Sequence, residues 1–434
     1  MSESNSPVEV LHNPYAKPRA AYYALGLLTV VYSINFIDRQ LLAILQESIK
    51  ADLGLSDGQL GLLTGFAFAV FYVTAGIPIA RWADHSNRRN IVALSLAVWS
   101  GMTAISGLVG NYAQLLAARI GVGIGEAGGS PPSHSMISDI FPPQRRATAL
   151  GFYSMGVNIG ILFGFLLGGW INEFFGWRVA FMVVGIPGVL LAVIVRFTLA
   201  EPIRGLADNK QVSSESNSFG QVLNVLWSTQ AFRHIAMGAA LNAFVSYSTS
   251  NWTASFMIRS HDMTTGELGT WLAMIMGFGG AVGVLCGGLV ADRLARRDKR
   301  WYVWLPVVAG LIALPFIIAV YQVDGRYTAL LCMIVPGVMS NVYLGNAIAT
   351  AHGLVGLRMR AMSSAILFFI LNIIGLGLGP WVIGVASDYL SPTHGSESLR
   401  LAMAYILPVV AFWSVCHFYL ASRTLRADLE AAPD

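Results

Sequence analysis

The chain has 434 residues, 55% of them hydrophobic and 12% charged, with a formal net charge of +4. A soluble domain carries about 25% charged residues, so a soluble fold is excluded and an integral, multi-pass membrane protein is implied. The positive charge forms no basic patch interleaved with aromatics, so no nucleic-acid partner is expected.

Apolar runs long enough to cross a bilayer as helices fall at roughly 20–49, 57–82, 90–109, 112–137, 147–171, 177–199, 230–258, 264–290, 301–321, 326–351, 361–388 and 399–421. The first 19 residues are polar, and the run that follows is too long for a cleaved signal segment. With both termini in the cytoplasm, 20 of the 27 Lys and Arg fall in the terminal tails and the even-numbered connections. Arg39 and Arg119 lie inside spans and only Lys50, Arg178, Arg259, Arg326 and Arg400 fall outside, a 20-to-5 bias that fits the positive-inside rule with an even number of spans. Cys286, Cys332 and Cys416 all lie in spans, so no disulfide framework is implied. No metal-ligand spacing or phosphate-cradling loop is present, and no cofactor is expected.

The first span carries Asn35, Asp38 and Arg39, and the fourth carries Arg119 and Glu126. A charge at bilayer depth costs at least about 2.5–3.5 kcal/mol, so such residues face a partner or a cavity. At about 1.5 Å per residue, Asp38 lies ~18 Å below the outer end of its helix. On the same reckoning Arg119 lies ~12 Å deep and Glu126 ~22 Å deep. Asp38 falls between them, and two acids with two bases sum to zero. Arg119 and Glu126 are nearly two turns apart and share a face, as do Asn35 and Asp38. A mutually neutralised cluster is expected if the first and fourth helices are neighbours. A static ion-pair cluster and a proton-coupling cluster both satisfy these facts.

The second span ends in Ala80-x-x-x-Asp84-His85-x-x-Arg88-Arg89. The eighth ends in Gly288-x-x-x-Asp292-Arg293-x-x-Arg296-Arg297, 208 residues later. A duplicated loop at this spacing implies two copies of one membrane unit with the same orientation. Arg146-Ala147-Thr148-Ala149 and Arg360-Ala361-Met362-Ser363 open the fifth and eleventh runs at a similar spacing. Carboxylates and arginines at helix ends can pair with each other and with a neighbouring helix N-terminus. Asp84, Arg88, Arg89, Asp292, Arg293, Arg296, Arg145 and Arg146 are therefore the candidate gating residues; a plain topology anchor is the alternative. The longest polar stretch, 201–229, divides the chain into bundles 1–200 and 230–434 and reads as a cytoplasmic linker.

In the fifth run, Gly160, Gly164, Gly168 and Gly169 are spaced for close helix packing. The seventh run contains Ser246-Tyr247-Ser248-Thr249-Ser250-Asn251-Trp252-Thr253, too polar to face lipid throughout. It reads as a pocket wall with local unwinding, or as polar glue between helices. Tyr247 and Asn251 are candidate substrate contacts. The tenth run offers Asn341, Tyr343, Asn346 and His352, and the eleventh Asn372; of these, Asn346 joins the candidate list. Phe66, Phe68, Phe71 and Tyr72 could contact an apolar tail or serve only in packing. The second half has no mid-membrane Asp, Glu, Lys or Arg, so the charged machinery is one-sided.

Twelve spans, a mid-chain linker and the paired loops resemble the major facilitator superfamily. Ala80, His85, Asn87 and Ala295 depart from its loop signature. The resemblance implies an all-α fold of two pseudo-symmetric six-helix bundles around a central cavity. Arg119-Ile-Gly121-Val-Gly123-Ile-Gly125-Glu126 is similar to that family's fourth-helix motif, whose Arg is often linked to proton coupling. Asp38-Arg39 together with Arg119 and Glu126 most resembles the Spinster branch, associated with sphingosine-1-phosphate and other lysolipids. The resemblance implies Asp38 as proton carrier and Glu126 as a cavity acid coupled to substrate or proton. Arg119, Glu126, Asn35 and Arg39 would then meet the substrate head. The reading is thus a proton-coupled carrier of an amphiphilic lipid-like substrate, a monomer in a bacterial inner membrane. A small-organic-anion or drug permease is the alternative, and a non-transporting sensor a second. Gly129-Ser130-Pro131-Pro132-Ser133-His134 holds a serine and a histidine but no G-x-S-G, so no enzyme is read from it.

Overall fold

The computed structural model describes residues 13–205, 219–356 and 359–432. Every regular element among them is helical. The polar run 213–218 of the expected linker lies outside the described residues; its far end, Phe219–Ser228, is a short helix.

Twelve helical spans follow the sequence reading. The first, Pro18–Leu53, starts with Pro in its first turn and ends on Gly54 in the left-handed region (φ 64°), as helix ends favour. The second is Asp57–His85 and the third Arg88–Ser106. The fourth is split into Tyr112–Glu126 and Ser130–Ile140, with the break just before Pro131-Pro132. The fifth is Pro143–Phe175 and the sixth Trp177–Thr198. The seventh to ninth are Gln230–His261, Thr265–Ala295 and Trp301–Val320. The tenth is Arg326–Met339 continued by Tyr343–Gly353. The eleventh covers 360–394 and the twelfth is Ser398–Glu430. By length and apolarity alone eight segments among the described residues qualify as spans, with the eleventh and twelfth counted as one. The third, fourth and seventh fall short through their polar residues or, in the fourth, its break.

The seventh span corrects one expectation. Its helix is unbroken from Gln230 to His261, with no unwinding at Ser246–Thr253. Several polar side chains there turn back on their own helix or bond to neighbours, as Thr253 does to the Thr249 carbonyl (2.6 Å), while the Ser248 hydroxyl is buried without a partner. The backbone ladder is therefore left intact.

Small residues set how the bundles close. In the fifth span Gly156, Gly160, Gly164 and Gly168 face the first span. A Cβ at Gly160 would meet Phe36 Cβ at 2.5 Å, and one at Gly164 would meet Gln40 Cβ at 2.8 Å. In the fourth span Gly125 abuts the Trp99 backbone of the third (2.7 Å) and Gly123 the Phe68 carbonyl of the second (3.2 Å). These close approaches hold the fifth span on the first and the fourth on the second and third, on either side of the buried charges. Overpacking such a seam costs about 1–3 kcal/mol or more. Gly164→Leu is thus expected to lower the unfolding midpoint in detergent. Gly151→Leu, where a Cβ meets nothing within 4 Å, is expected to leave it unchanged; equal effects would refute the packing account.

With twelve spans, the start of the first at Pro18 and the end of the twelfth at Glu430 lie on one side of the bundle, the side of the termini. The two halves meet on the far side: among the described residues, every hydrogen bond and ion pair that crosses between them joins groups in the mid or far part of their spans, such as Gln40–Ser250 and Asp57–Arg259. The molecule is closed there and parted on the side of the termini.

Candidate functional site

The four intramembrane charges meet, and they are cross-paired. Arg119 Nη1 donates to Asp38 Oδ2 (3.1 Å). Arg39 Nε donates to Glu126 Oε2 (2.8 Å), and its Nη2 lies 2.8 Å from the same oxygen. Each pair joins the first span to the fourth. Adjacent residues on a helix point about 100° apart, so Asp38 and Arg39 face different partners rather than each other. The Thr103 hydroxyl lies 2.8 Å from Asp38 Oδ1 and 2.9 Å from the Trp99 carbonyl. The Thr103 hydroxyl is thus shared between the Asp38 carboxylate and the backbone of its own helix.

Asp38, Arg119 and Glu126 are 1–2% exposed. Two atoms in the cluster have no partner: Arg119 Nε and Glu126 Oε1. An unsatisfied buried polar atom costs about 1–3 kcal/mol, so Glu126 Oε1 is open to a proton, a water or a substrate donor, and the Arg119 Nε–H to a water or a substrate acceptor. The Arg39 guanidinium sits 5.1, 4.9 and 5.1 Å from the rings of Phe36, Phe68 and Tyr72. Arg119 lies 5.6 Å from Phe68. Phe68 and Tyr72 thus serve the cluster, whereas Phe66 stacks on Trp381 of the eleventh span and Phe71 is exposed.

A small cavity, open in part to solvent, adjoins Arg39 and Arg119 and is lined across from them by Tyr247, Ser250 and Asn251 of the seventh span. Ser250 Oγ donates to Gln40 Oε1 (2.9 Å), and Asn251 Nδ2 to the Tyr247 carbonyl (3.1 Å). Asn35 is buried one turn before Asp38 and does not line this cavity. Asn346 is also away from it. It donates to the Val342 carbonyl four residues back (3.0 Å), as Asn341 and Asn372 do to Gly337 and Phe368. These asparagines satisfy backbone in their own helices.

The gating candidates are not equivalent in the two halves. Arg88 is 1% exposed and donates to Glu201 (2.8 Å), Ser135 (2.8 Å), Asp139 and the Pro202 carbonyl (2.9 Å). The Arg89 backbone N–H also donates to Glu201 (2.9 Å). This ties the loop after the second span to the ends of the fourth and sixth. The repeat-related Arg296 is exposed, as are Arg293, Asp84 and Arg145, while Arg146 is half-buried. Asp292 accepts from the Tyr302 hydroxyl (3.1 Å). Removing one partner of a buried ion pair costs about 3–5 kcal/mol. Asp139 and Glu201 keep 13% and 24% side-chain exposure. For Arg88→Ala the expected loss is therefore nearer 3 kcal/mol, read as a lower unfolding midpoint in detergent that Arg296→Ala does not share.

Sequence reasoning missed the far-side seal. Asp57, 2% exposed, accepts from Lys50 (2.6 Å), Ser387 (2.6 Å) and Arg259 (2.7 Å). Arg259 also donates to Glu47 (2.6 and 3.0 Å). Acids and bases at span ends are ordinary, so single positions gave no signal.

The profile of the Major Facilitator Superfamily matches residues 28–380. The chain belongs to that superfamily. It is 32% identical to an "MFS-type efflux pump" of Mycolicibacterium smegmatis over 99% of both chains. It is 26% identical to a probable galactarate/D-glucarate transporter of Bacillus subtilis, over 73% of this chain and 75% of that one. A crystal structure of a bacterial homologue of the human lysosomal transporter Spinster, inward-facing and unoccupied, superposes with a TM-score of 0.87. That protein is 32% identical, and the match covers 95% of this chain and 99% of that one. The protein is a transporter of this superfamily and not an enzyme, with the all-α two-bundle fold of the bacterial Spinster homologue.

Proposed function

We propose that the chain is a proton-coupled secondary transporter that moves an amphiphilic, lysolipid-like or sphingolipid-like substrate by alternating access. The single observation that carries the reading is the cross-paired cluster with its two open atoms, Arg119 Nε and Glu126 Oε1. A proton on Asp38 removes the charge that holds Arg119, which is then available to an anionic head. A proton on Glu126 likewise releases Arg39, whose side chain already borders the cavity. Binding and protonation thus compete for the same ion pairs, the linkage a coupled carrier needs. Phe36, Phe68 and Tyr247 supply apolar wall for the start of a tail.

The two bundles, 1–200 and 230–434, are taken as the moving bodies. Asp84, Arg88, Arg89, Asp292, Arg293, Arg296, Arg145 and Arg146 are taken as the gate on the side of the termini, engaged when that side shuts. The termini are assigned to the cytoplasm, the membrane to the bacterial inner membrane, and the working unit to a monomer.

A second reading is a permease or exporter of a small organic anion. The polar wall of Gln40, Thr64, Ser250 and Asn251 favours it, as does similarity to a sugar-acid transporter. Proteoliposomes given a labelled lysophospholipid or a labelled aldarate, with and without a pH gradient, separate the two. Gradient-driven movement of the lysophospholipid is expected; movement of the aldarate alone would establish the second reading. Binding without counterflow of either would mark a ligand sensor instead.

A further inference from the structure

The far-side seal has an internal two-fold relation that the loop repeat only hinted at. Ser56-Asp57-Gly58-Gln59-Leu60-Gly61 and Thr264-Thr265-Gly266-Glu267-Leu268-Gly269 lie 208 residues apart, the spacing of the Asp84 and Asp292 loops. Each opens a span with a hydroxyl cap, Ser56 accepting from the Gln59 N–H (3.2 Å) and Thr264 from the Glu267 N–H (3.4 Å). Each helix start also takes a carboxylate from the opposite half. Asp388 of the eleventh span accepts from the backbone N–H groups of Asp57 (2.9 Å) and Gly58 (2.7 Å). Glu173 of the fifth span accepts from the Gly266 N–H (2.7 Å) and lies 3.4 Å from the Thr265 hydroxyl. A carboxylate on free helix N–H groups gains both charge-assisted hydrogen bonds and the helix dipole. The packing repeats as well. A Cβ at Gly384 would meet the Asp57 carbonyl at 2.3 Å, and one at Gly169 the Thr265 carbonyl at 2.4 Å.

The two latches differ in charge and in exposure. Where the second span has Asp57, buried and held by Lys50, Ser387 and Arg259, the eighth has Thr265, held by the Asn172 amide (3.2 Å) and donating to the Gly169 carbonyl (3.1 Å). The position 208 before Arg259 is Ala51, so this ion-pair lock has no counterpart. Glu173 is exposed, whereas Asp388 is half-buried.

We propose that Asp388 and Glu173 are the paired latches of the gate opposite the termini, and that the Asp57–Arg259 lock makes the seam of the second and eleventh spans the last to part. The seam of the fifth and eighth spans, closed by one exposed carboxylate and neutral side chains, opens first. The charged residues around Asp57 are Lys50 and Glu47 of the first span and Arg259 of the seventh, so that with Asp57 two acids and two bases sum to zero, which leaves the Asp388 charge to the helix N–H groups of Asp57 and Gly58.

The test uses the full-length protein with Cys286, Cys332 and Cys416 replaced by serine. It carries one reporter cysteine below each seam, Thr64→Cys for the second and eleventh spans and Leu162→Cys for the fifth and eighth. A membrane-impermeant maleimide is added on the face opposite the termini, and no substrate is needed, so failure here is distinct from failure of the substrate reading. In the parent, Leu162→Cys is expected to label faster than Thr64→Cys. Asp388→Asn is expected to speed labelling of Thr64→Cys by roughly 5- to 30-fold, the ratio that one or two kcal/mol produces. Glu173→Gln should act on Leu162→Cys, and less strongly. Asp388→Glu, which keeps the charge, should label more slowly than Asp388→Asn; equal rates would mean disturbed packing and overturn the latch. So would unchanged labelling of both reporters in the Asp388→Asn/Glu173→Gln protein at a wild-type unfolding midpoint. Faster labelling of Thr64→Cys than Leu162→Cys in the parent would overturn the order of opening.

Discussion

Asp38→Asn is expected to remove the dependence of transport on a pH gradient, with the driven rate falling to that of the undriven reaction. The substitution preserves the volume of Asp38 and an oxygen for the Thr103 hydroxyl, 2.8 Å away. It removes the carboxylate that faces Arg119 Nη1 at 3.1 Å and changes the cluster from neutral to net positive. Arg119, 2% exposed, is then a buried cation without its counter-ion, which costs about 3–5 kcal/mol. Loss of transport alone would therefore not separate coupling from folding. The double variant Asp38→Asn/Arg119→Gln does separate them, because it restores neutrality without restoring a titratable group. If Asp38 carries the proton, the double variant regains the unfolding midpoint but transports without response to pH. If the pair only holds the first and fourth spans together, it regains pH-driven transport, and that result would refute the coupling role. Glu126→Gln makes a useful contrast. Its Oε2 holds Arg39 through two nitrogens at 2.8 Å, while its Oε1 has no partner. It should disturb substrate binding through the freed Arg39 more than it disturbs pH dependence.

The cluster itself was legible because an acid or base inside an apolar run is rare and must find a partner. Its wiring was not. Asp38 and Arg39 are neighbours in sequence, yet the helical rotation between them sends each to a different residue of the fourth span. The loop repeat was legible because paired arginines stand out at the end of an apolar segment. What it hid is that Arg88 is buried among Asp139, Ser135 and Glu201 while Arg296 is exposed. Burial of that kind depends on the carboxylates the loop meets in space. Spacing of glycines gave the packing of the fifth span on the first. It did not reveal that Gly169, next to Gly168, turns instead to the eighth span and the seam between the halves. The polar run of the seventh span was left open between a pocket wall with local unwinding and polar glue, because counting hydroxyls says nothing of their acceptors; the helix is unbroken, and Tyr247, Ser250 and Asn251 line the cavity. Ser250 finds Gln40, Thr253 finds its own helix, and Trp252 finds the Pro380 carbonyl at 2.8 Å. Asn346 was taken for a cavity residue on polarity alone, and its amide instead serves the preceding turn.

Leucine at both Gly61 and Gly269 is expected to trap the protein with its far side open and to stop turnover. These glycines are repeat-related, one on the second span and one on the eighth. A Cβ at Gly61 would stand 2.5 Å from the Pro380 carbonyl and 2.9 Å from Trp381 Cα. One at Gly269 would stand 2.4 Å from the Phe165 carbonyl. The obstructing atoms are backbone of the opposite half, so no side-chain rotation relieves the clash; the halves must separate. Overpacking costs about 1–3 kcal/mol per site, and here the cost falls only on the conformation in which the seams are shut. Two sites shift the balance between the two conformations by about 2–6 kcal/mol, enough to reverse an equilibrium near unity by more than about ten-fold. Transport should fall by at least that factor. Labelling of a cavity cysteine should rise from the far face and fall from the side of the termini. Gly76→Leu, on the same second span with nothing within 4 Å of its would-be Cβ, should transport normally. A glycine pair that lost activity without this reciprocal change in access would show that the seam matters for folding and not for the exchange of conformations. Reciprocal access with normal activity is equally informative, since it would mean that closing the far side does not limit turnover.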